Sequence, residues 1–188
     1  MRIVQISDTH SKHHELSPLP DGDVLVHCGD ISEHGTEEEV LDFLNWFIEQ
    51  PHTHKIFVCG NHDICLRQAE GIEDLPNNVH FLQDRGVTIE GVRFFGIGYD
   101  HKESTIPLET DVVITHEPPL GVLDKTGDIT WGNLFLLERI REVSPKYHFF
   151  GHAHSAQGVL KKGGIVFSNA SLLDDAKALV YKPKIFEL

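Results

Sequence analysis

Cysteine is scarce in this sequence and forms no recognisable pattern. The three cysteines, Cys28, Cys59 and Cys65, are an odd number and include no Cys-x-x-Cys pair. The apolar segment that follows Met1 is too short for an export signal. We therefore expect free thiols in a cytoplasmic protein, and neither a disulfide framework nor a thiolate metal site.

Long apolar runs and positive charge are scarce as well. No apolar run reaches the roughly 18 residues that a membrane-spanning helix needs, so we expect a soluble protein without a membrane partner. Lysine and arginine total 16 against 29 aspartates and glutamates, a formal net charge of −13, and they form no basic cluster. This balance argues against long nucleic acid as a partner. The length of 188 residues predicts one domain, residues 1–188.

Short apolar runs without alternation predict buried strands. Five such runs are present: Arg2–Ser7, Val24–His27, Lys55–Cys59, Val112–Thr115 and Tyr147–Phe150. Helical periodicity appears between them, over Thr36–Gln50, where Thr36 and Glu39 form a capping-box pattern, and over Asn133–Val143. Additional strands with tight glycine turns are predicted at Val87–Phe95, Val159–Phe167 and Lys184–Phe186. The pattern predicts an α/β domain of two mixed sheets packed face to face and flanked by helices.

Metal-ligand side chains follow each of the five runs. They are Asp8 and His10, then Asp30, then Asn61 and His62, then His116, and finally His152 and His154. Because ligands gather outside the carboxyl ends of strands in open α/β sheets, these loops are expected to converge. Gly29, Gly60 and Gly151 each precede a ligand where the chain must turn off a strand, although an ordinary loop would explain them too.

The donor set is rich enough for two ions. Oxygen and imidazole donors without thiolate favour manganese, iron, zinc or cobalt over calcium, magnesium or copper(I). Manganese is the ion we expect, with iron, zinc and cobalt as alternatives. A carboxylate such as Asp30 could bridge two ions at roughly 3.5 to 4 Å, the separation common in two-metal hydrolases.

The ordered motifs resemble those of the calcineurin-like metallophosphoesterases, and the surrounding sequence is similar to their compact class III phosphodiesterase branch. The motifs are Asp8-Thr9-His10, Gly29-Asp30, Gly60-Asn61-His62-Asp63, Thr115-His116 and Gly151-His152-Ala153-His154, with Asn169-Ala170-Ser171 beyond them. The resemblance implies a four-layer α/β/β/α sandwich. It also implies Asp8, His10, Asp30 and His154 on one metal ion, and Asp30, Asn61, His116 and His152 on the other.

The resemblance further implies a catalytic role for His62, which would protonate the leaving oxygen or stabilise the phosphate, with Asp63 orienting it. Two cations would lower the pKa of a water molecule between them, so that hydroxide attacks the phosphorus. We expect hydrolysis of small, nucleotide-like phosphodiesters. The alternatives are a phosphomonoesterase or protein phosphatase, and a non-catalytic metal-binding scaffold for protein interaction.

The pattern is weaker evidence for metal binding by the other histidines. His13, His14, His52 and His54 lie in polar or proline-bearing loops and are interpreted as solvated, with a third metal site as the alternative. His27 and His148 fall within strands, where they either support ligands or simply pack in the core. The loop 96–101 and the segment 125–133, which contains Trp131, are expected to line a substrate pocket.

Overall fold

The protein, described by a computed structural model over residues 1–16, 18–99 and 105–188, is built from thirteen strands and two α-helices within those ranges. The strands are β1 (Arg2–Ile6), β2 (Val24–His27), β3 (His54–Phe57), β4 (Val79–Phe81), β5 (Arg85–Ile89), β6 (Val92–Ile97), β7 (Val112–Thr115), β8 (Lys125–Thr126), β9 (Ile129–Thr130), β10 (Tyr147–Phe150), β11 (Gly158–Lys162), β12 (Ile165–Asn169) and β13 (Lys184–Glu187). The helices are α1 (Glu37–Glu49) and α2 (Leu134–Val143).

Two large mixed sheets carry the architecture. One has the strand order β13-β1-β2-β3-β4, in which β1 to β4 run parallel and β13 is antiparallel. The other has the order β11-β12-β10-β7-β6-β5, with a parallel centre and an antiparallel strand at each edge. A small hairpin, β8-β9, stands apart from both.

Three apolar clusters separate four layers. The central cluster lies between the two sheets and includes Ile3, Ile56 and Phe149. A second cluster packs α1 against the five-stranded sheet, and a third packs α2 against the six-stranded sheet. The chain is therefore the α/β/β/α sandwich that the sequence resemblance implied.

Local sequence signals account for most element boundaries. Helix α1 begins with the predicted capping box, in which the Thr36 hydroxyl accepts from the Glu39 amide and the Glu39 carboxylate accepts from the Thr36 amide. The segments Val87–Phe95 and Val159–Phe167 are hairpins whose turns contain glycines of positive φ. Strand β4 and the hairpin β8-β9 were not predicted, because two or three residues carry too little periodicity.

The five predicted runs end at the same edge of the sandwich. Strands β1, β2 and β3 are neighbours in one sheet, and β7 and β10 are neighbours in the other. Because these five strands run parallel within their sheets, the loops that follow their carboxyl ends can meet across the interface between the sheets. Among the described residues, no helix is long and apolar enough to span a membrane.

Phe43 offers a test of the packing between α1 and its sheet. Its side chain is fully buried, and its ring centroid lies 4.9 Å from that of Phe47 and 5.9 Å from that of Phe57. Phe43→Ala should lower the free energy of unfolding by about 3 to 5 kcal/mol, because it removes a large buried side chain and leaves a cavity. Leu41→Ala, on the exposed face of the same helix, should change it by about 0.5 kcal/mol or less. Urea denaturation measures both, and equal losses would contradict the layer assignment.

Candidate metal centre

The predicted ligands sit on unusual backbone. Asp8, His10, Asp30 and His152 all have positive φ, at 56°, 42°, 55° and 68°. A residue with a side chain held in this left-handed region costs on the order of 1 to 3 kcal/mol, so the surrounding structure must enforce it. Such strain is typical of functional sites.

The predicted glycines allow the turns to approach the ligand side chains. A Cβ atom at Gly60 would lie 2.2 Å from Oδ1 of Asp30, and one at Gly151 would lie 2.2 Å from Oδ2 of Asp8. Any larger residue would therefore displace a carboxylate. The glycines do more than turn the chain off a strand, since they make room for the site.

All seven predicted ligands meet in one place. Asp8, His10 and His154 form one cluster, and Asp30, His116 and His152 form a second, with donor atoms in each group within 4.8 Å of one another. In the first, Nε2 of His154 lies 3.4 Å from Oδ1 of Asp8.

Asp30, a member of the second cluster, also contacts the first. Its Oδ2 atom is 3.5 Å from Nε2 of His10 and 3.4 Å from Nε2 of His116. Asn61 completes the second cluster, because its Oδ1 atom lies 2.8 Å from the same Nε2 of His116. Nδ1 of His152 lies 3.1 Å from Nε2 of His116.

The donor set fits divalent transition-metal ions. Nε2 of His10 is buried and has no hydrogen-bond partner among the described residues, which leaves its lone pair available for coordination. The clustered donors are carboxylate oxygen, amide oxygen and imidazole nitrogen, the combination that favours such ions.

Backbone carbonyls fix the orientation of two ligand rings. Nδ1 of His116 donates to the carbonyl of Cys28 at 2.9 Å, and Nδ1 of His154 donates to the carbonyl of Asp174 at 3.1 Å. Each bond orients the ring and leaves Nε2 facing the cluster, an arrangement common around protein metal sites.

A third ring is supported by charged side chains that sequence reasoning missed. Nδ1 of His10 lies 3.1 Å from Oε2 of Glu33, whose other carboxylate oxygen pairs with the ammonium group of Lys177. Lys177 follows the Asn169-Ala170-Ser171 motif but belongs to no motif itself, and nothing in its local sequence points to the site.

The segment after β12 supports Asp8. The hydroxyl of Ser171 donates to Oδ2 of Asp8 at 2.7 Å. The side chain of Asn169 donates to the carbonyl of Ala153 at 2.8 Å and accepts from the Ser171 amide. The Asn169-Ala170-Ser171 motif therefore holds the His152–His154 turn next to Asp8.

The two strand histidines brace the ligand-bearing turns. Nε2 of His27 lies 3.0 Å from the hydroxyl of Thr9, and Nε2 of His148 lies 2.9 Å from that of Thr115. Burial lowers the pKa of each ring to about 3, so both are neutral near pH 7. They are core residues that also contact the neighbours of ligands.

His62 lies beside the first cluster, with its ring centroid 4.5 Å from that of His10. Its amide donates to Oδ1 of Asp30 at 2.8 Å, and its Nδ1 atom donates to the carbonyl of Glu33 at 2.7 Å. The Glu33 carbonyl is therefore the hydrogen-bond partner of the ring, and the Asp63 carboxylate accepts from other groups.

The buried Asp63 carboxylate ties two ligand loops together. It accepts from the Gly60 amide at 2.8 Å and from the Ser32 hydroxyl at 2.6 Å. Burial raises its pKa, as does the charge of Asp30, while these hydrogen bonds oppose the shift. It holds the turn after β3 against the segment after β2.

Neighbouring imidazoles keep the Asp8 and Asp30 carboxylates ionised. Burial raises the pKa of Asp30, but the charge and hydrogen bond of His116 outweigh it and lower the pKa to about 2. Burial likewise lowers the pKa of His116 and His154, but Asp30 and Asp8 respectively reverse this and raise the values to about 10 and about 9. The positive charge of these two imidazoles offsets the negative charge of the Asp8 and Asp30 carboxylates.

A cavity of about 320 Å³ opens above the clusters. Its walls include Tyr99, Trp131 and Lys177, and the ring centroid of Trp131 lies 4.9 Å from that of His152. The two segments expected to line a pocket thus each contribute an aromatic ring. Residues 100 and 101 of the predicted loop lie outside the described residues.

Comparison with known proteins identifies a family and sequence relatives, and the chain covers about three quarters of the length of those relatives. The profile of the family described as calcineurin-like phosphoesterase matches residues 1–156. A UPF0046 protein of Caenorhabditis elegans is 37% identical over 99% of this chain and 74% of its own length. Human metallophosphoesterase domain-containing protein 1 is 32% identical over 100% of this chain and 71% of its own length.

Solved structures share the fold at low sequence identity. Phosphopantetheinyl hydrolase from Mycobacterium tuberculosis superposes with a TM-score of 0.67 at 13% identity, covering 94% of this chain and 90% of that one. The TT1561 protein of Thermus thermophilus superposes with a TM-score of 0.66 at 15% identity. The match covers 98% of this chain and 97% of that one.

Metal binding should release protons from His116 and His154. Both rings are protonated at pH 7.5 in the metal-free protein because their pKa values are raised, so ion binding at Nε2 must displace about two protons per chain. Apparent metal affinity should therefore rise from pH 7 towards pH 9. Isothermal titration calorimetry in buffers of different ionisation enthalpy counts the protons, and binding without proton release would contradict this charge assignment.

Proposed function

The chain belongs to the calcineurin-like phosphoesterase family, and we propose that it is a phosphodiesterase acting on small, nucleotide-like phosphodiesters with two divalent metal ions. The observation that supports this most strongly is the position of Asp30, whose Oδ2 atom is within 3.5 Å of histidines from both clusters. We also propose a single domain over residues 1–188, because the last strand, β13, pairs with the first.

The proposed ligands divide between two ions. Asp8, His10, Asp30 and His154 would hold one ion, and Asp30, Asn61, His116 and His152 would hold the other. Manganese is the ion we propose, with iron, zinc and cobalt as alternatives that the same donors suit. When bound, the ions would activate water near neutral pH and neutralise charge on the phosphoryl oxygens.

His62 would act as the general acid. Its Nδ1 atom is committed to the Glu33 carbonyl, so Nε2 is the atom that can give a proton to the leaving oxygen. The side chain lines the cavity beside Asp30 and Asn61, within reach of a phosphate held there. Such proton transfer contributes roughly 10² to 10⁴ in rate.

The cavity walls favour an aromatic diester. Tyr99 and Trp131 provide flat apolar surface next to His152, suitable for a nucleobase or an aryl group. A diester carries one negative charge, whereas a monoester near pH 7 carries almost two. The net charge of −13 disfavours the more highly charged substrate.

His62→Ala tests the general-acid assignment. The variant should lower kcat on bis-aryl phosphates by about 10² to 10⁴-fold while keeping the wild-type metal content, because His62 is not among the proposed ligands. Asp30→Ala should lose both metal and activity. His34→Ala, which replaces an exposed histidine in a nearby loop, is the control and should retain both.

The assay compares protein reloaded with manganese, zinc, iron or cobalt on bis-aryl and mono-aryl phosphates, followed by a nucleotide panel. Preference for diesters would support the proposal, and preference for monoesters would replace it with phosphomonoesterase activity. Metal-saturated wild-type protein that is inactive on every ester would contradict it and favour a scaffold role.

A further inference from the structure

A second group of metal-type donors lies outside the site described above. His13 and His14, in a 3-10 turn over His13–Leu16, face Asp42 on helix α1. Nε2 of His13 is 3.1 Å from Oδ2 of Asp42, and Nε2 of His14 is 3.2 Å from both carboxylate oxygens. The donor atoms all lie within 4.8 Å of one another.

We propose that His13, His14 and Asp42 form a separate zinc-binding site that joins this turn to helix α1. The geometry is the first argument. Ligand bonds of about 2.0 to 2.1 Å in a tetrahedral site place neighbouring donor atoms roughly 3.3 Å apart. The observed nitrogen–oxygen distances of 3.1 and 3.2 Å are therefore close to those that a bound zinc ion requires.

The burial of His13 is the second argument. Its side chain is fully buried, and the ring packs against Phe43 and Trp46 with centroid distances of 5.6 and 5.1 Å. Nδ1 has no hydrogen-bond partner among the described residues. The ring's polar contact is therefore made by Nε2, with the Asp42 carboxylate. An ion bound at Nε2 would compensate for burying an imidazole.

The protonation states suit coordination. Burial lowers the pKa of His13, and the charge of His14 lowers it further against the opposing effect of Asp42. The hydrogen bond from His14 lowers the pKa of Asp42, which stays ionised. Two imidazoles and one carboxylate are zinc donors, and the exposure of His14 and Asp42 leaves the fourth position open to water.

The proposed site has a structural consequence. The turn begins three residues after His10, and His13 contacts α1 through Phe43 and Trp46. Zinc would therefore fix the segment that follows the ligand-bearing turn of β1 to the helix that covers its sheet. This role is independent of any reaction in the cavity.

Zinc stoichiometry tests the proposal. Full-length protein is dialysed against low-micromolar free zinc and its metal content compared with that of Asp42→Asn and His14→Gln. We expect each variant to bind one zinc fewer than wild type, to keep wild-type activity, and to show a smaller zinc-induced rise in Tm. Glu38→Gln, another exposed carboxylate on α1, is the matched control and should match wild type in all three.

Crystals grown with zinc give the direct result. An anomalous peak between the two imidazoles and the carboxylate is expected in wild type and should be missing in Asp42→Asn. Equal zinc content in wild type and both variants, or a wild-type crystal without that peak, would overturn the proposal. Neither result depends on whether the cavity hydrolyses phosphate esters.

Discussion

The candidate site depends on the contacts of one buried carboxylate, Asp30, with a histidine from each of the two clusters. Asp30 reaches His10 and His116 with a single oxygen, while its other oxygen accepts from the His62 amide. His10 follows β1 of one sheet and His116 follows β7 of the other. Asp30 therefore joins the carboxyl ends of both sheets. Because each cluster contains residues from both sheets, a shift of either sheet would pull apart the ligands within both clusters.

The strained backbone around Asp30 has a physical explanation in the rest of the fold. Positive φ at four predicted ligands is unfavourable locally, but three parallel strands from one sheet and two from the other fix the ends of these loops. Gly60 and Gly151 allow close approach, and Asp63 and Ser171 supply buried hydrogen bonds. The sandwich maintains a geometry that isolated loops would not adopt.

Much of this could be predicted from sequence, because the central strands are fully buried and parallel. Such strands appear in the sequence as unbroken apolar runs, and all of them end at the same edge. Side chains that are distant in the chain could therefore be predicted to lie close together. The supporting residues could not be predicted in this way. Glu33 and Lys177 meet only in three dimensions, and the carbonyl that orients His62 leaves no trace in a side-chain pattern.

The central claim is that seven side chains hold two ions bridged by Asp30. Anomalous diffraction from crystals loaded with manganese, recorded on both sides of its absorption edge, tests this most directly. The account predicts two peaks about 3.5 to 4 Å apart on either side of the Asp30 carboxylate. A single peak, or peaks that do not contact Asp30, would contradict it.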